Sequence, residues 1–391
     1  MDYAPWPSFE EDEIQAAVDV LRSGKVNQWT GEQVTRFESE FAEYIGTGYA
    51  VALANGSLAL DLAMTVFEIG PGDEVIVTPR SFVASVSCVA LRGAVPVFVD
   101  VDPVTQNITL EAVKLAVTGR TRAVIAVNHA GWPCELGPMR KFCDEKGLIL
   151  IEDCAQSHGA VYGGKKAGSY GHCSVFSFCQ DKIMTTGGEG GMFLTRDKST
   201  WQAAWSFKDH GKGYDTVYHK KHPQGFRWLV ESLGTNLRMT EMQAAMGRVM
   251  LRKLDRWVEK RRALAGMFNQ AFKTVPGLRI TEPDSHIRHA YYKYYAFCDP
   301  DRLPEGVTRD HILDALADAG TPCLSGSCPE IYLEKSFASA PFRIAGDAPY
   351  LPVARQLGET SLMFMVHPTL DSATITGWIS NVKQVMARCL D

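Results

Sequence analysis

Asp153, Ser177 and Lys182 are a carboxylate, a hydroxyl and an amine, each set beside an apolar run. Leu148-Ile149-Leu150-Ile151 ends in Glu152-Asp153, and Val175-Phe176-Ser177-Phe178 leads through Cys179-Gln180-Asp181 into Lys182. The glycine-rich stretch Thr186-Gly187-Gly188-Glu189-Gly190-Gly191 follows. A strand-end carboxylate can keep a ring nitrogen protonated, a hydroxyl can donate to a phosphate, and a lysine can form a Schiff base. Together these tasks describe a site for pyridoxal 5'-phosphate (PLP). Asn55-Gly56-Ser57 adds backbone N–H groups and a hydroxyl at a predicted helix N-terminus, which suits the phosphate. Phe82 could stack on a planar ring, although a lone aromatic is more often core. Lys165 and Lys166 compete with Lys182, but Gly163-Gly164-Lys165-Lys166-Ala167-Gly168 reads as an exposed hairpin.

These residues need elements to position them. The runs Tyr49–Ala54, Glu74–Thr78, Val95–Val99, Ala123–Asn128, Leu148–Asp153, Cys173–Phe178 and Gly191–Thr195 show little polar alternation. They predict strands buried on both faces. Ser57–Ile69, Phe82–Arg92, Leu110–Val117 and Leu136–Lys146 carry apolar residues three and four apart and predict helices. Repeated β-α units call for an α/β fold: a mostly parallel seven-stranded sheet with helices on both faces. Asp153 then emerges at the carboxyl edge of that sheet, where open α/β folds bind ligands.

Thr240–Lys273 reads as one long helix. Beyond it, Tyr291–Phe297 predicts a strand, and Arg309–Ala319 and Ile375–Arg388 predict helices. The expected division is a large α/β domain with an N-terminal arm, residues 1–245, and a smaller C-terminal α+β domain, 246–391. Asp209–Glu231, rich in His, Lys, Gly and aromatics, reads as a long loop, and it and the loop Ser325–Tyr332 are expected to line the substrate pocket.

Composition narrows the partners. With 46% hydrophobic and 22% charged residues the chain is ordinary for a globular protein. A net charge of −5 with no basic block argues against nucleic acid and against a membrane surface. The N-terminus has no secretory pattern and no run is long enough to span a membrane, so a cytoplasmic protein is expected. The ten cysteines form no CxxC pair, so reduced and mostly buried thiols are expected, and no metal site.

The chain resembles the DegT/DnrJ/EryC1/StrS group of PLP-dependent sugar aminotransferases, in the fold type I (aspartate aminotransferase) superfamily. The resemblance runs through Gly31-Glu32-Gln33-Val34, Asn55-Gly56-Ser57-Leu58-Ala59-Leu60 and Pro71-Gly72-Asp73-Glu74-Val75. It continues through Glu152-Asp153-Cys154-Ala155-Gln156-Ser157-His158, Phe176-Ser177-Phe178 with Lys182, His210-Gly211, Asn236-Leu237-Arg238-Met239-Thr240 and His367-Pro368.

The resemblance implies that Lys182 bonds the cofactor and moves the proton, and that Asp153 pairs with the ring nitrogen. Gln156 would lie near the ring hydroxyl and Phe82 on the ring, with Gly56, Ser57 and Ser177 holding the phosphate. Asn236 would reach the neighbouring subunit's phosphate, making the active unit a homodimer with shared sites. The apolar face of Met242, Met246 and Met250 fits such an interface or an ordinary core. His210 and Trp29 are candidate substrate contacts. The implied activity moves an amino group, from glutamate, to a keto group of a nucleotide-linked sugar for amino-sugar and surface-polysaccharide synthesis. Amination of a keto-cyclitol or another carbonyl compound, or a non-catalytic regulator of the same fold, are the alternatives. Relatives with histidine in place of the lysine are sugar 3-dehydratases, so Lys182 favours amino transfer. One departure is the additional leading glycine at Gly187, which is expected to add loop freedom.

Overall fold

The computed structural model describes residues 3–346 and 348–390. Its large sheet contains β1 (Tyr49–Leu53), β2 (Glu74–Val77), β3 (Val95–Phe98), β4 (Thr121–Val127), β5 (Ile149–Asp153), β8 (Cys173–Ser177), β9 (Gly191–Thr195) and β14 (Arg343–Ile344). A hairpin of β6 (Val161–Tyr162) and β7 (Lys165–Lys166) pairs with β11 (Ile287–Arg288) in a separate small sheet. The C-terminal part builds an antiparallel sheet from β10 (Leu278–Ile280), β12 (Tyr294–Cys298), β13 (Cys323–Leu324) and β15 (Ser361–Phe364), in the order β10-β12-β15-β13.

All seven expected strands form and an eighth joins them, in the order β1-β9-β8-β5-β4-β2-β3-β14, and only β9 runs against its neighbours. The expected count of seven is corrected to eight by β14, which lies beside β3. No apolar run marks Arg343-Ile344 as a strand. Long-range partners recruit it: Arg343 Nη2 donates to Ala116 O at 2.7 Å and to Glu74 Oε2 at 3.1 Å.

The register sets the level of the site. Leu53, Gly191 and Ser177 share one row across β1, β9 and β8, and Asp153 pairs with Val127 and Val175. The carboxyl ends of β1, β5 and β8 therefore open on the same edge. Their residues are almost all buried, matching apolar runs that face helices on both sides.

The helix Glu241–Phe272 joins the two parts. Thr240 caps it: Thr240 Oγ1 accepts from Gln243 N, and Gln243 Oε1 accepts from Thr240 N at 3.0 Å. At 32 residues it runs for about 48 Å. Its first half, through Met250, Leu254 and Val258, belongs to the core of the large sheet. From Leu264 through Phe268 and Phe272 it belongs to a second core with Tyr294, Phe364 and Trp378. Arg261 is buried between the two stretches.

Met250 is fully buried in its own chain's core, while Met242 and Met246 are half-buried. The segment read as a loop between Asp209 and Glu231 contains a helical turn, Tyr214–Tyr218, tied down by a hydrogen bond from Thr216 to Glu231. Among the described residues no helix is long and apolar enough to cross a membrane.

Candidate active site

A cavity of about 820 Å³ opens at the carboxyl ends of β1, β5 and β8. Asp153 projects into it from the end of β5 and is nearly inaccessible to solvent. Its carboxylate accepts from Ser85 Oγ at 2.7 Å and from Ala155 N at 3.1 Å. Burial pushes its pKa above the ordinary carboxylate value, opposed by those two hydrogen bonds and by the charge of Lys182. A cationic ring nitrogen opposite Asp153 would favour the ionised form and be favoured by it.

The helix Gly56–Val66 points its N-terminus at the same cavity. Asn55 Oδ1 caps Leu58 N at 2.9 Å, while helix geometry leaves the N–H groups of Gly56 and Ser57 without intrahelical acceptors. Both residues line the cavity together with Ser177. A Cβ on Gly56 would lie 2.6 Å from Ser177 Cβ, so glycine is what lets the helix end approach β8 this closely. Two orphan N–H groups, two hydroxyls and the positive end of a helix make an anion site.

Lys182 sits at the lip, its side chain 15% exposed. Nζ is 3.6 Å from Asp181 Oδ1, 3.5 Å from Tyr292 OH and 4.9 Å from the centre of the Tyr292 ring. Tyr292 OH also donates to Asp181. Burial raises the Asp181 carboxyl, but Lys182, the Tyr292 hydrogen bond and Lys293 outweigh it and hold the carboxyl below its ordinary value.

From below, Trp6 Nε1 donates to Lys182 O at 2.8 Å, with the Trp6 ring stacked on His367. The glycine loop that follows is pinned rather than free. Gly187 and Gly188 hold positive φ of 84° and 121°, and Gly188 N donates to Thr185 Oγ1 at 3.2 Å. The additional glycine therefore supplies a required left-handed conformation, a correction to the loop freedom expected of it.

Gln156 also lines the cavity, and its amide oxygen accepts from Ala130 N at 2.8 Å, which leaves its NH2 group as the free donor. Phe82 is exposed on the cavity wall rather than buried in a core. The buried carboxylate, the anion cradle, the flat aromatic and the lysine match the parts of a phosphorylated pyridine aldehyde such as PLP.

The chain brings Gly56, Ser57, Phe82, Asp153, Gln156, Ser177 and Lys182 together, but not three other candidates. Asn236 is exposed and pairs with Asp209, and His210 is an exposed residue in a left-handed turn with φ 60°. Trp29 packs edge-on against Trp205 under Lys212 Nζ. All three lie outside the cavity of their own chain. Lys166 is bonded to Asp255 at 3.5 Å, in the expected hairpin. Among the described residues, one carboxylate group is close enough to share an ion, Glu10, Asp12 and Glu13, and Lys253 Nζ already contacts all three.

Several cavity residues escaped the sequence reading. Ser85 carried a signal, since Ser81 and Ser85 lie four residues apart on either side of Phe82. The charged Lys293 inside Tyr291-Tyr292-Lys293-Tyr294-Tyr295 was another, because a lysine among aromatics entering a buried strand needs a reason. The loop Ser325–Tyr332, expected to line the substrate pocket, does so through Gly326, Ser327, Cys328 and Ile331, whereas no residue of Asp209–Glu231 lines the cavity of its own chain. Trp6, which bonds Lys182 from outside the cavity, carried no signal, since its role depends on chain folding back from far away.

Comparison with known proteins identifies the relatives of the chain. Residues 7–383 match the model of the DegT/DnrJ/EryC1/StrS aminotransferase family. GDP-perosamine synthase of Caulobacter vibrioides is 35% identical over 363 residues, 91% of each chain. The dTDP-4-dehydro-2,3,6-trideoxy-D-glucose 4-aminotransferase of Saccharopolyspora spinosa is 33% identical over 377 residues, 94% of this chain and 92% of that one. The X-ray structure of an aminotransferase from Psychrobacter cryohalolentis superposes with a TM-score of 0.96 at 47% identity, covering 100% of both chains. The chain belongs to the DegT/DnrJ/EryC1/StrS aminotransferase family.

Proposed function

We propose that this protein is a PLP-dependent aminotransferase that transfers an amino group from glutamate to a keto carbon of a nucleotide-linked sugar. It acts as a cytoplasmic homodimer and supplies amino sugars for surface polysaccharide. The observation that carries the reading is the meeting of Lys182, buried Asp153 and the Gly56–Ser57 helix end in one cavity. Two relatives named for amino transfer to nucleotide-linked sugars, one GDP-linked and one dTDP-linked, support the substrate class.

When bound, PLP supplies an aldehyde that bonds an amine and a ring that accepts the electron pair left by a departing proton. The chain's residues do the rest. Gly56 and Ser57 N–H and the Ser57 and Ser177 hydroxyls hold the phosphate. Asp153 accepts from the ring nitrogen and keeps it protonated, while Ser85 orients the carboxylate. Phe82 covers the ring and the Gln156 amide donates at its edge. The Lys182 amine anchors the cofactor between turnovers, then takes a proton from the donor's α-carbon and later returns one to the sugar carbon. Asp181 and Tyr292 border that amine and hold it at the lip.

The dimer explains the residues left outside. Asn236 stands at the end of a segment whose Phe226, Trp228, Val230 and Leu233 are largely exposed, an apolar surface for a neighbour to cover. In the shared-site reading Asn236 donates to the partner's cofactor phosphate, and His210 and Trp29 border the partner's substrate. A C2 contact then completes two sites at once.

Two experiments test the reading. UDP-, dTDP- and GDP-linked 3- and 4-ketosugars are offered with glutamate, and formation of 2-oxoglutarate is followed. Turnover with one of them is expected, and no turnover with any of them contradicts the reading. Separately, Lys182→Ala chains are mixed with Asn236→Ala chains, each weak alone. Shared sites predict recovery, because one site of the heterodimer keeps both native residues. No recovery after verified subunit exchange refutes sharing.

A further inference from the structure

Lys293 enters the cavity just ahead of β12, on the wall opposite the sheet, and none of the roles above uses it. The side chain is half-buried, and Nζ lies 4.9 Å from the centre of the Tyr292 ring, the same ring that Lys182 Nζ approaches at 4.9 Å. Both ammonium groups thus border one aromatic ring. Among the described residues Lys293 has no ion-pair or hydrogen-bonding partner. The nearby carboxylate, Asp181, is already engaged by Lys182 and Tyr292. Arg261, fully buried beyond it, adds more positive charge and leaves its own Nε and Nη2 without partners.

A half-desolvated ammonium with no counter-ion in a substrate cavity is stabilised when a ligand brings the negative charge. The ligand's position limits its chemistry. The cofactor phosphate belongs at the helix end across the cavity, beside Ser177. A group reaching Lys293 lies instead at the Tyr292 ring that Lys182 also borders, on the side of the reacting carbon. In an amino acid the α-carboxylate is one bond from that carbon, and in a keto-uronate the sugar carboxylate is two bonds from a 4-keto carbon and three from a 3-keto carbon. The diphosphate of a nucleotide sugar is much further along the molecule.

We propose that Lys293 is the substrate-carboxylate receptor of this active site, binding a carboxylate attached next to the carbon that gains or loses the amine. The inference rests on the aminotransferase reading and deepens it by naming a recognition residue.

The neighbours of Lys293 make its charge sensitive to pH. Burial, with Lys182 and Arg261 adding repulsion, pushes its pKa down to about 8, against the attraction of Asp181. Of the other groups facing it, His367 is held at about 3 by burial and so is neutral, and burial raises Tyr292 well above its ordinary value. Arg261 is lowered by burial to about 9, and Asp181 stays ionised. Of these positive groups Lys293 is thus the one that loses its charge first, as pH rises through about 8.

The test uses PLP-loaded wild type, Lys293→Met and Lys293→Arg, and follows the two half-reactions separately by cofactor absorbance. In the first, glutamate is compared with the amino alcohol in which CH2OH replaces the α-carboxylate. In the second, amine-loaded enzyme meets ketosugars with and without a carboxylate. Lys293→Met is expected to raise the half-saturating concentration of the carboxylate-bearing reactant roughly tenfold to a hundredfold. The limiting rate should change less, the uncharged analogue should be unaffected, and Lys293→Arg should restore much of the loss. An effect on glutamate makes the donor the source of the carboxylate, and an effect on the keto-uronate makes it the sugar.

Wild type supplies a check that needs no variant: the preference for glutamate over the amino alcohol should fall as pH rises through about 8. Shifts under twofold in both half-reactions, equal shifts for charged and uncharged reactants, or a flat wild-type preference overturn the proposal. So does a Lys293→Met effect confined to competition by a nucleoside diphosphate. Wild type that accepts no amino acid and no ketosugar overturns the aminotransferase reading itself, a failure visible before any variant is made.

Discussion

The cavity has two unlike sides. The sheet side, Asn55–Ser57, Asp153, Gln156, Ser177 and Lys182, is built from short segments at the ends of buried strands. The opposite side, Tyr292, Lys293, Tyr295, Leu324, Gly326–Cys328 and Glu334, comes from the C-terminal part and is held by a few long-range hydrogen bonds. There Tyr295 OH accepts from Ser327 N at 3.2 Å, and His129 Nε2 lies 3.0 Å from Ser327 Oγ. In the proposed reading the sheet side carries the groups that any reaction of the cofactor requires, and the C-terminal side touches what varies between substrates. Damage to the first should cost rate with every substrate, and damage to the second should move half-saturation selectively.

The largest effect expected is that of Lys182→Ala. Turnover should fall by about a thousandfold or more, since both the covalent anchor and the proton carrier are lost. Circular dichroism should show an unchanged fold, because the side chain lies at the lip and makes few contacts. Retention of a tenth of the turnover would break the division between the two sides.

Asp153→Asn comes next. The amide cannot hold a positive ring nitrogen, so turnover should drop by about a hundredfold or more while the phosphate cradle keeps PLP bound. Equilibrium dialysis and steady-state rates measure the two parts, and native turnover would make Asp153 a structural residue.

Ser85→Ala sharpens the same point at smaller scale. It removes one hydrogen bond from a buried carboxylate, worth about 1–3 kcal/mol. Asp153 already has a raised pKa, and Ser85 is the largest influence pulling it down, so its loss raises that pKa further. The ionised form then needs a higher pH, and the acid limb of the rate profile should move upward. A limb that stays in place would separate Ser85 from Asp153.

The smallest effect belongs to the C-terminal side. Tyr295→Phe removes the acceptor for Ser327 N, worth about 1 kcal/mol, so sugar half-saturation should rise roughly fivefold with the limiting rate kept. A fall in rate with all substrates would erase the distinction.

That contrast also governs what was legible in the sequence. Asp153 and Ser177 close apolar runs, and a residue at the end of a doubly buried parallel strand has one place to go, the carboxyl edge. Gly56 and Ser57 follow a strand and open a helix, so their N–H groups face that edge too. The opposite wall obeys no local rule. Ser327 and Cys328 reach the cavity because Cys328 bridges to Ser81, and β14 joins the large sheet through Arg343 and Glu74. Each pairing spans more than two hundred residues of chain and leaves no periodic trace. The helical turn Tyr214–Tyr218 was hidden in a similar way, in a segment whose Tyr214 and Tyr218 pack on each other and on the distant Trp201 and Trp205. Asn236, His210 and Trp29 represent a further class, residues outside the cavity of their own chain whose proposed work depends on a second subunit.

The central claim is that Lys182, alone among the lysines near the cavity, bonds the cofactor. Borohydride reduction of the PLP-loaded protein, followed by peptide mapping of the phosphopyridoxyl label, tests it most directly. Lys293 makes the test demanding, since it is an amine in the same cavity with a pKa lowered to about 8. The account predicts the label on Lys182, one per chain. A label on Lys293, Lys165 or Lys166 in its place would contradict it.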